Sequence, residues 1–283
     1  MPELPEVETV VRELRPHLVG RRLGAVTVGP HTLRRGWSAE WEKLLPGRRI
    51  SAVRRRGKWI IVESNRGPLL VHLGMSGQFF VISAEHPVRP HTHLIVELGK
   101  AKQLRFRDPR RFGSVAHFND VSSVEKYLEE RLGPEPFDLQ SKAWRESLGR
   151  SRRSIKAVLL DQTTIAGVGN IYADEALFVA RIHPGILASE LTRQQAERLR
   201  KALPKVLNFA IQLRGSSIRD YVGGRGRRGR MQREFQVYGR TGQPCPKCKT
   251  SIRRIRLAGR STHFCPQCQP AKRLTKATRS RTN

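Results

Sequence analysis

Four cysteines, the only ones in 283 residues, stand as Cys245-Pro246-Lys247-Cys248 and Cys265-Pro266-Gln267-Cys268, with sixteen residues between the pairs. No other feature limits the fold so sharply. Each C-x-x-C turn presents two sulfurs to one ion, so two turns at this separation close a tetrahedral site with no position left for water or substrate. A lone C-x-x-C reads as a redox pair; the second pair turns the reading to metal. The expected cofactor is therefore one structural Zn2+, held by Cys245, Cys248, Cys265 and Cys268. Between the pairs lie Arg253, Arg254, Arg256 and Arg260, on what reads as a β-hairpin without an acidic neighbour. That cluster suits phosphate clamping better than a merely solvated face. No cysteine is left to staple the rest of the chain, as expected in a reducing compartment.

Lysine and arginine number 54 against 24 acids, a formal net charge of +30. Such an excess points to a polyanionic partner, nucleic acid first. A membrane is the rival polyanion, but no run of 18 apolar residues exists, and the start of the chain carries Glu3, Glu6 and Glu8 where a leader needs basic residues. The expectation is a soluble, cytoplasmic protein with no membrane partner.

The apolar residues Val7, Val10, Val11, Leu14 and Leu18 recur at helical spacing, which predicts an amphipathic helix almost at the chain start. From about Arg48 to Phe118 come short β-rich runs, at 59–63, 69–73, 78–82, 93–98, 102–106 and 114–118, broken by Gly, Pro and Asn. Their spacing predicts a sandwich or barrel. Gly133-Pro134-Glu135-Pro136 ends this pattern, and a helical region begins beyond it. In it Ser154 is expected to cap a helix to Asp161, residues 163–169 to turn, and Asn170 to cap a helix through Ala180. Thr192 and Gln195 form a capping-box pattern ahead of a longer helix that Pro204 is expected to kink. Gly223 to Arg230 is half glycine and half arginine, which reads as a mobile loop, and the basic run 271–283 reads as a disordered tail.

A proline behind an initiator methionine permits removal of that methionine, and the product is a secondary amine able to attack a sugar carbon and form an iminium ion. Taken alone, Met-Pro-Glu is weak evidence. The run Met1-Pro2-Glu3-Leu4-Pro5-Glu6-Val7-Glu8-Thr9, however, resembles the opening of bacterial formamidopyrimidine-DNA glycosylases. The likeness continues through His72-Leu73-Gly74-Met75-Ser76-Gly77, Asp108-Pro109-Arg110-Arg111-Phe112-Gly113, Gly167-Val168-Gly169-Asn170-Ile171-Tyr172-Ala173 and Gln236-Val237-Tyr238-Gly239-Arg240 into the cysteine motif. It spans residues 2 to about 268.

The resemblance implies an α+β multidomain fold: an N-terminal β-sandwich with an N-terminal helix (1–132), a helical helix-two-turn-helix domain (133–222), the arginine/glycine loop (223–234), a β-hairpin zinc finger (235–270) and the tail (271–283). It implies a bifunctional glycosylase and AP lyase that removes oxidised purines, 8-oxoguanine and formamidopyrimidines, from damaged double-stranded DNA and cleaves the strand by β,δ-elimination. No nucleotide cofactor is implied, and a monomer in the bacterial cytoplasm, associated with the nucleoid through DNA, is expected. By the same resemblance Pro2 is the nucleophile, Glu3 protonates the opening sugar, and Lys58 assists base loss and elimination. Arg260 grips phosphate and serves the last elimination. Met75, Arg110 and Phe112 match a trio that fills the gap left by an everted nucleotide. His91, Arg153 and Asn170 match further DNA contacts. Read without the resemblance, Lys58 is a surface charge and Met75 and Phe112 are core by residue type, although the adjacent Gly74, Gly77 and Gly113 favour loops.

The stretch 216–233 is arginine-rich and departs from the family's usual pattern, so the resemblance says least about base preference. The tail is longer than usual for the family. Two other readings stand beside the first. One is the sister group acting on oxidised pyrimidines, from which Leu4-Pro5 and Phe112 depart. The other is a noncatalytic nucleic-acid-binding zinc protein, which would need none of Pro2, Glu3 and Lys58.

Overall fold

The computed structural model describes residues 1–33, 37–217 and 229–271, and its contacts divide the chain into two units. The first comprises residues 1–139, 161–169 and 204–234; the second comprises 140–160, 170–203 and 235–283. The tail and most of the arginine/glycine run lie outside the described residues.

In the first unit, helix α1 (Leu4–Leu18) begins at Glu3, whose N–H donates to the Glu6 carboxylate at 2.9 Å, and Pro5 sits in the first turn where its missing N–H costs nothing. Its expected stripe of Val7, Val10, Val11, Leu14 and Leu18 is wholly buried, each side chain contributing roughly 1.5–3 kcal/mol on leaving water. The helix packs on two four-stranded antiparallel sheets. The first contains β1 (Val26–Val28), β5 (Gln78–Ser83), β6 (Thr92–Glu97) and β7 (Lys102–Arg107), in the order β1-β6-β7-β5. The second contains β2 (Ile50–Arg56), β3 (Trp59–Ser64), β4 (Leu69–His72) and β8 (Ser114–His117), in the order β2-β3-β4-β8. Phe79, Leu94, Val96, Leu104 and Phe106 of one sheet share a core with Ile60, Val62, Val71 and Val115 of the other.

Strand alternation sets what lies behind that core. On β3, Ile60 and Val62 enter it while Ile61 joins Leu70 against Val124 and Leu128 of α3 (Val121–Glu129). The Asp120 carboxylate caps that helix by accepting the Ser123 N–H at 2.7 Å. Helix α2 (Trp41–Leu44) is a single turn.

The second unit holds α4 (Ser141–Gly149), α5 (Ile155–Leu160), α6 (Asn170–Ala180), the first part of α7 (Arg193–Gln212) and the hairpin β9 (Arg253–Leu257) and β10 (Arg260–Phe264). The Ser154 hydroxyl accepts the Ala157 N–H at 3.3 Å, and Thr192 and Gln195 bond reciprocally, as the sequence predicts. Asn170 is the first residue of α6, but its side chain does not cap: Nδ2 donates to the Ser261 carbonyl at 3.0 Å. Helix α7 continues through Pro204, where the division between the units falls.

Candidate functional site

The first unit gathers Pro2, Glu3 and Lys58. All three are buried, Glu3 at 3 % and Lys58 at 7 % exposure. Lys58 comes directly after Gly57 in the two-residue turn between Arg56 and Trp59, which pair at the end of β2 and β3. Gly57 has φ +56, and a Cβ there would lie 3.5 Å from the Gly167 nitrogen. The Gly167 carbonyl in turn accepts the Leu4 N–H at 3.1 Å. At Gly169 a Cβ would come within 2.4 Å of the Glu3 carboxyl carbon. Only a glycine there admits the Glu3 side chain, so the 167–169 turn seats the chain start beside the lysine turn.

Carboxylates hold both pieces in place. Glu6 accepts the Glu3 N–H through one oxygen and the Ser216 N–H, at 2.7 Å, through the other. Glu135 accepts the Gly57 N–H at 2.7 Å together with Arg55 and Arg56. Burial raises the Glu135 carboxyl, but the two arginines and the amide outweigh it and hold it below its ordinary value.

A second cluster of the same unit surrounds Asp108, which is fully buried. Its oxygens accept the Ser76 hydroxyl at 2.6 Å, the Gly113 N–H at 2.7 Å and the Arg110 N–H at 3.2 Å. Its own N–H donates to the His91 carbonyl at 3.0 Å. At Gly74, φ +57, a Cβ would strike the Phe112 backbone at 2.4 Å, so the two loops touch through glycine. Met75 and Phe112, at 36 % and 43 % exposure, are thus presented together, with the Arg110 guanidinium 4.7 Å from the Phe112 ring centre. His91 is exposed and held at φ +67. Met75 and Phe112 read as core from their residue type alone; the structure places both at the surface.

In the second unit the four cysteine sulfurs lie within 4.8 Å of one another, the one such group among the described residues. A tetrahedral Zn–S site with bonds of about 2.3 Å requires sulfur separations of about 3.8 Å. The observed Cys245–Cys268, Cys248–Cys265 and Cys248–Cys268 separations are 3.9, 3.4 and 3.5 Å. Hydrogen bonds from Thr250 bring the Cys248 thiol down to about 6, while burial pushes Cys268 up to about 12. Four sulfurs at near-tetrahedral separations, with no other ligand type among them, fit one structural zinc. Phe178, Val237 and Ile252 pack around the sulfurs. The hairpin turns at Ala258 and Gly259, both at positive φ, and exposes Arg253, Arg254, Arg256 and Arg260.

Arg153, Asn170 and Arg260 belong to this unit. Arg153 is exposed in the turn before α5. The Asn170 Oδ1 is buried without a hydrogen bond, while Nδ2 reaches the hairpin carbonyl of Ser261. Sequence reasoning missed two acids of α6. Asp174, 1 % exposed, pairs with the buried Lys156 and accepts the His263 N–H at 2.9 Å, which ties the hairpin to α5 and α6. Glu175 accepts the N–H groups of Gln236, Val237 and Tyr238 at 2.9–3.0 Å, and burial raises its carboxyl. The signal was present: two adjacent acids in an otherwise apolar helix must be buried with partners.

The sandwich with its sealed chain start, the helical region and the four-cysteine hairpin define a zinc-finger protein of the helix-two-turn-helix class. Three family models match in order: the formamidopyrimidine-DNA glycosylase N-terminal domain over residues 1–115, the H2TH domain of the same proteins over 132–222, and a zinc finger found in FPG and IleRS over 242–271. The chain is 43 % identical to a formamidopyrimidine-DNA glycosylase of Desulforamulus reducens, covering 96 % of this chain and all of that one. It is 46 % identical to that of Moorella thermoacetica, over 90 % and 95 % of the two chains. Among solved structures, Lactococcus lactis Fpg in complex with an abasic site containing DNA superposes with a TM-score of 0.88 at 39 % identity, covering 95 % of this chain and all of that one. MutM in complex with carbocyclic 8-oxo-G containing DNA gives 0.87 at 40 % identity, again covering 95 % and 100 %. The chain belongs to the formamidopyrimidine-DNA glycosylase family.

Proposed function

We propose that this protein is a bifunctional DNA glycosylase and AP lyase that removes oxidised purines from duplex DNA with the amine of Pro2. One observation carries the reading: Pro2 and Glu3 are buried at the chain start, and the 167–169 turn that packs on Glu3 also borders Gly57, next to the buried Lys58, an arrangement that DNA binding alone does not require. Removal of Met1 frees the secondary amine, which attacks C1′ of the everted nucleotide. The bond from C1′ to the base breaks and the base leaves with a proton. Glu3 protonates the ring oxygen, the sugar opens, and an iminium ion joins C1′ to Pro2. The iminium acidifies the C2′ proton, whose loss expels the 3′ phosphate; a second elimination expels the 5′ phosphate. Lys58 assists the proton transfers.

The remaining residues take their parts from the same reading. Met75 and Phe112 fill the vacated stack and Arg110 faces the orphaned cytosine. His91, Arg153, Asn170 and Arg260 take phosphates, and Arg260 also serves the last elimination. Segments 1–132, 133–222 and 235–270 are the functional modules of a protein that works as a monomer. Support for the substrate class comes from relatives whose solved complexes contain Fapy-dG, carbocyclic 8-oxo-G and abasic-site DNA.

Borohydride reduction of a reaction with 8-oxoguanine duplex tests the proposal. A covalent adduct is expected from protein whose mass shows Met1 removed, and none from protein that retains Met1, where the Pro2 nitrogen is an amide. Excision of thymine glycol in preference to 8-oxoguanine would move the chain to the pyrimidine group. Excision by protein that retains Met1 would remove Pro2 from the mechanism.

A further inference from the structure

Helix α7 ends in a turn in which the Gly215 N–H donates to the Ala210 carbonyl at 2.8 Å and the Arg214 N–H to the Ile211 carbonyl at 3.0 Å. This pair of bonds defines a helix end whose penultimate residue takes a left-handed conformation, a place that favours glycine. Here it is Arg214, at φ +65, with Gly215 next at φ +71. A side chain at such a position is strained, and something must offset the strain. The Arg214 guanidinium pairs with Glu13 of α1, whose side chain is 7 % exposed.

Two further atoms point to the same pair. Glu13 Oε2 and Arg214 Nε are buried without a hydrogen bond, and they belong to the two side chains that already meet through Oε1 and Nη2. A side-on fork between guanidinium and carboxylate satisfies both at once. The pair also lines a cavity of about 430 Å3 with Thr9, Arg12, Pro16, Ile211 and Gln212.

From Arg214 the chain runs on to the site. Glu13 lies seven residues after Glu6, two helical turns on the same face of α1. Glu6 accepts both the N–H and the hydroxyl of Ser216, and a Cβ on Gly215 would come within 2.7 Å of its Oε1. Through its other oxygen Glu6 accepts the Glu3 N–H. The direction in which the chain leaves α7 thus decides whether Ser216 reaches Glu6, and Glu6 orients the backbone of Glu3.

We propose that Glu13 and Arg214 are positioning residues for the reaction: their ion pair holds Arg214 left-handed, which sets Gly215 and Ser216 on Glu6 and so fixes the segment carrying Pro2 and Glu3. The inference rests on the proposed roles of Pro2 and Glu3. Neither Glu13 nor Arg214 touches substrate.

The test compares the full-length, methionine-free protein with Glu13→Ala, Arg214→Ala and the double variant Glu13→Ala/Arg214→Gly. Single-turnover excision of 8-oxoguanine and the borohydride-trapping rate are measured together, beside affinity for a duplex with a reduced abasic site and the thermal midpoint. Glu13→Ala and Arg214→Ala are expected to slow excision and trapping about tenfold with affinity within about twofold. The double variant is expected to recover to within about threefold of the parent, because glycine takes the left-handed conformation unaided. A purely structural role would lower the thermal midpoint of Glu13→Ala and leave both rates, measured well below that midpoint, at the parental value. Parental rates in Glu13→Ala, or a double variant as slow as Glu13→Ala, would overturn the proposal. A parent that excises without trapping refutes the Pro2 reading, and the excision rates alone then judge Glu13. A parent that neither excises nor traps overturns both.

Discussion

The Glu135 carboxylate accepts the Gly57 N–H at 2.7 Å and fixes the turn that delivers Lys58. Arg55 bridges the same carboxylate to Glu8 of α1. Three acids of α1 thus make tertiary contacts, Glu6 and Glu13 with the 214–216 segment and Glu8 with Arg55. The lysine turn is braced against α1 by partly buried ion pairs.

Glu135→Gln removes the charge that Arg55 and Arg56 face. Breaking such a partly buried pair costs about 3 kcal/mol at neutral pH, because the guanidinium groups remain without their anion. Since the native carboxyl is held below its ordinary 4.5, the stability it supplies is present above that value and is lost as the pH falls through the native one. Thermal midpoints of parent and variant should therefore differ at pH 7 and converge in acid. A constant gap across that range would show that Glu135 acts by shape and not by charge.

Met75→Ala and Phe112→Ala should separate function from folding. Both side chains are substantially exposed, so truncation should change stability by no more than about 0.5 kcal/mol. Loss of the wedge should nonetheless slow excision from duplex by tenfold or more, an effect of about 1.4 kcal/mol on the barrier. The slowing should shrink when the damaged base stands opposite a gap, where no stacking has to be replaced. Equal slowing on both substrates would assign the two residues some other part.

These two side chains also mark where sequence alone misleads. By residue type Met75 and Phe112 read as core and Lys58 as surface, but Gly74, Gly77 and Gly113 beside the first two already favour loops; the structure puts both at the surface and Lys58 inside. Nothing in residue type reveals that glycines at 57 and 74 turn the chain so that a lysine goes in and a phenylalanine goes out. Strands β3 to β8 were legible because apolar runs alternate between glycine, proline and asparagine breaks. Strand β2 was not, since Arg54, Arg55 and Arg56 look polar until Glu63, Glu125, Glu8 and Glu135 are seen to receive them. The nine-residue helices α3 and α4 escaped, although Asp120 gave the first a cap, while the shorter α5 was legible from its Ser154 cap. The zinc centre was legible in full, because ligand spacing in a knuckle is a local property of the chain.

Removal of zinc should act on the second unit first. Four sulfurs at these separations repel as thiolates and lose their common cross-link as thiols, so a strong chelator should loosen the hairpin and the packing around Phe178 and Ile252. Metal analysis of the parent should give one zinc per chain. After chelation, the slope of log affinity against log salt should become shallower by about 0.9 for each phosphate contact that the hairpin arginines provide. Arg260→Ala should remove about one such contact while leaving the zinc in place. An unchanged slope in both cases would exclude the hairpin from the DNA interface.

The glycines of the 167–169 turn allow the seating of the chain start to be tested without touching a reacting group. Gly167 stands at φ +85 with Leu4 atoms 2.6 Å from where a Cβ would be, so Gly167→Ala meets both backbone strain and a buried side chain. It should lower stability by about 2 kcal/mol or more, a shift of several degrees in the thermal midpoint. Gly169 has no such backbone demand, and a Cβ there would strike the end of the Glu3 side chain at 2.4 Å. Gly169→Ala should therefore cost less stability than Gly167→Ala, because the buried Glu3 side chain must leave its capping place but no backbone is strained. The displaced group is the one proposed to protonate the sugar, so the adduct-forming step should slow by tenfold or more. A Gly169→Ala protein that is as fast as the parent would place the Glu3 carboxyl outside the rate-determining chemistry, whatever Gly167→Ala does to the fold.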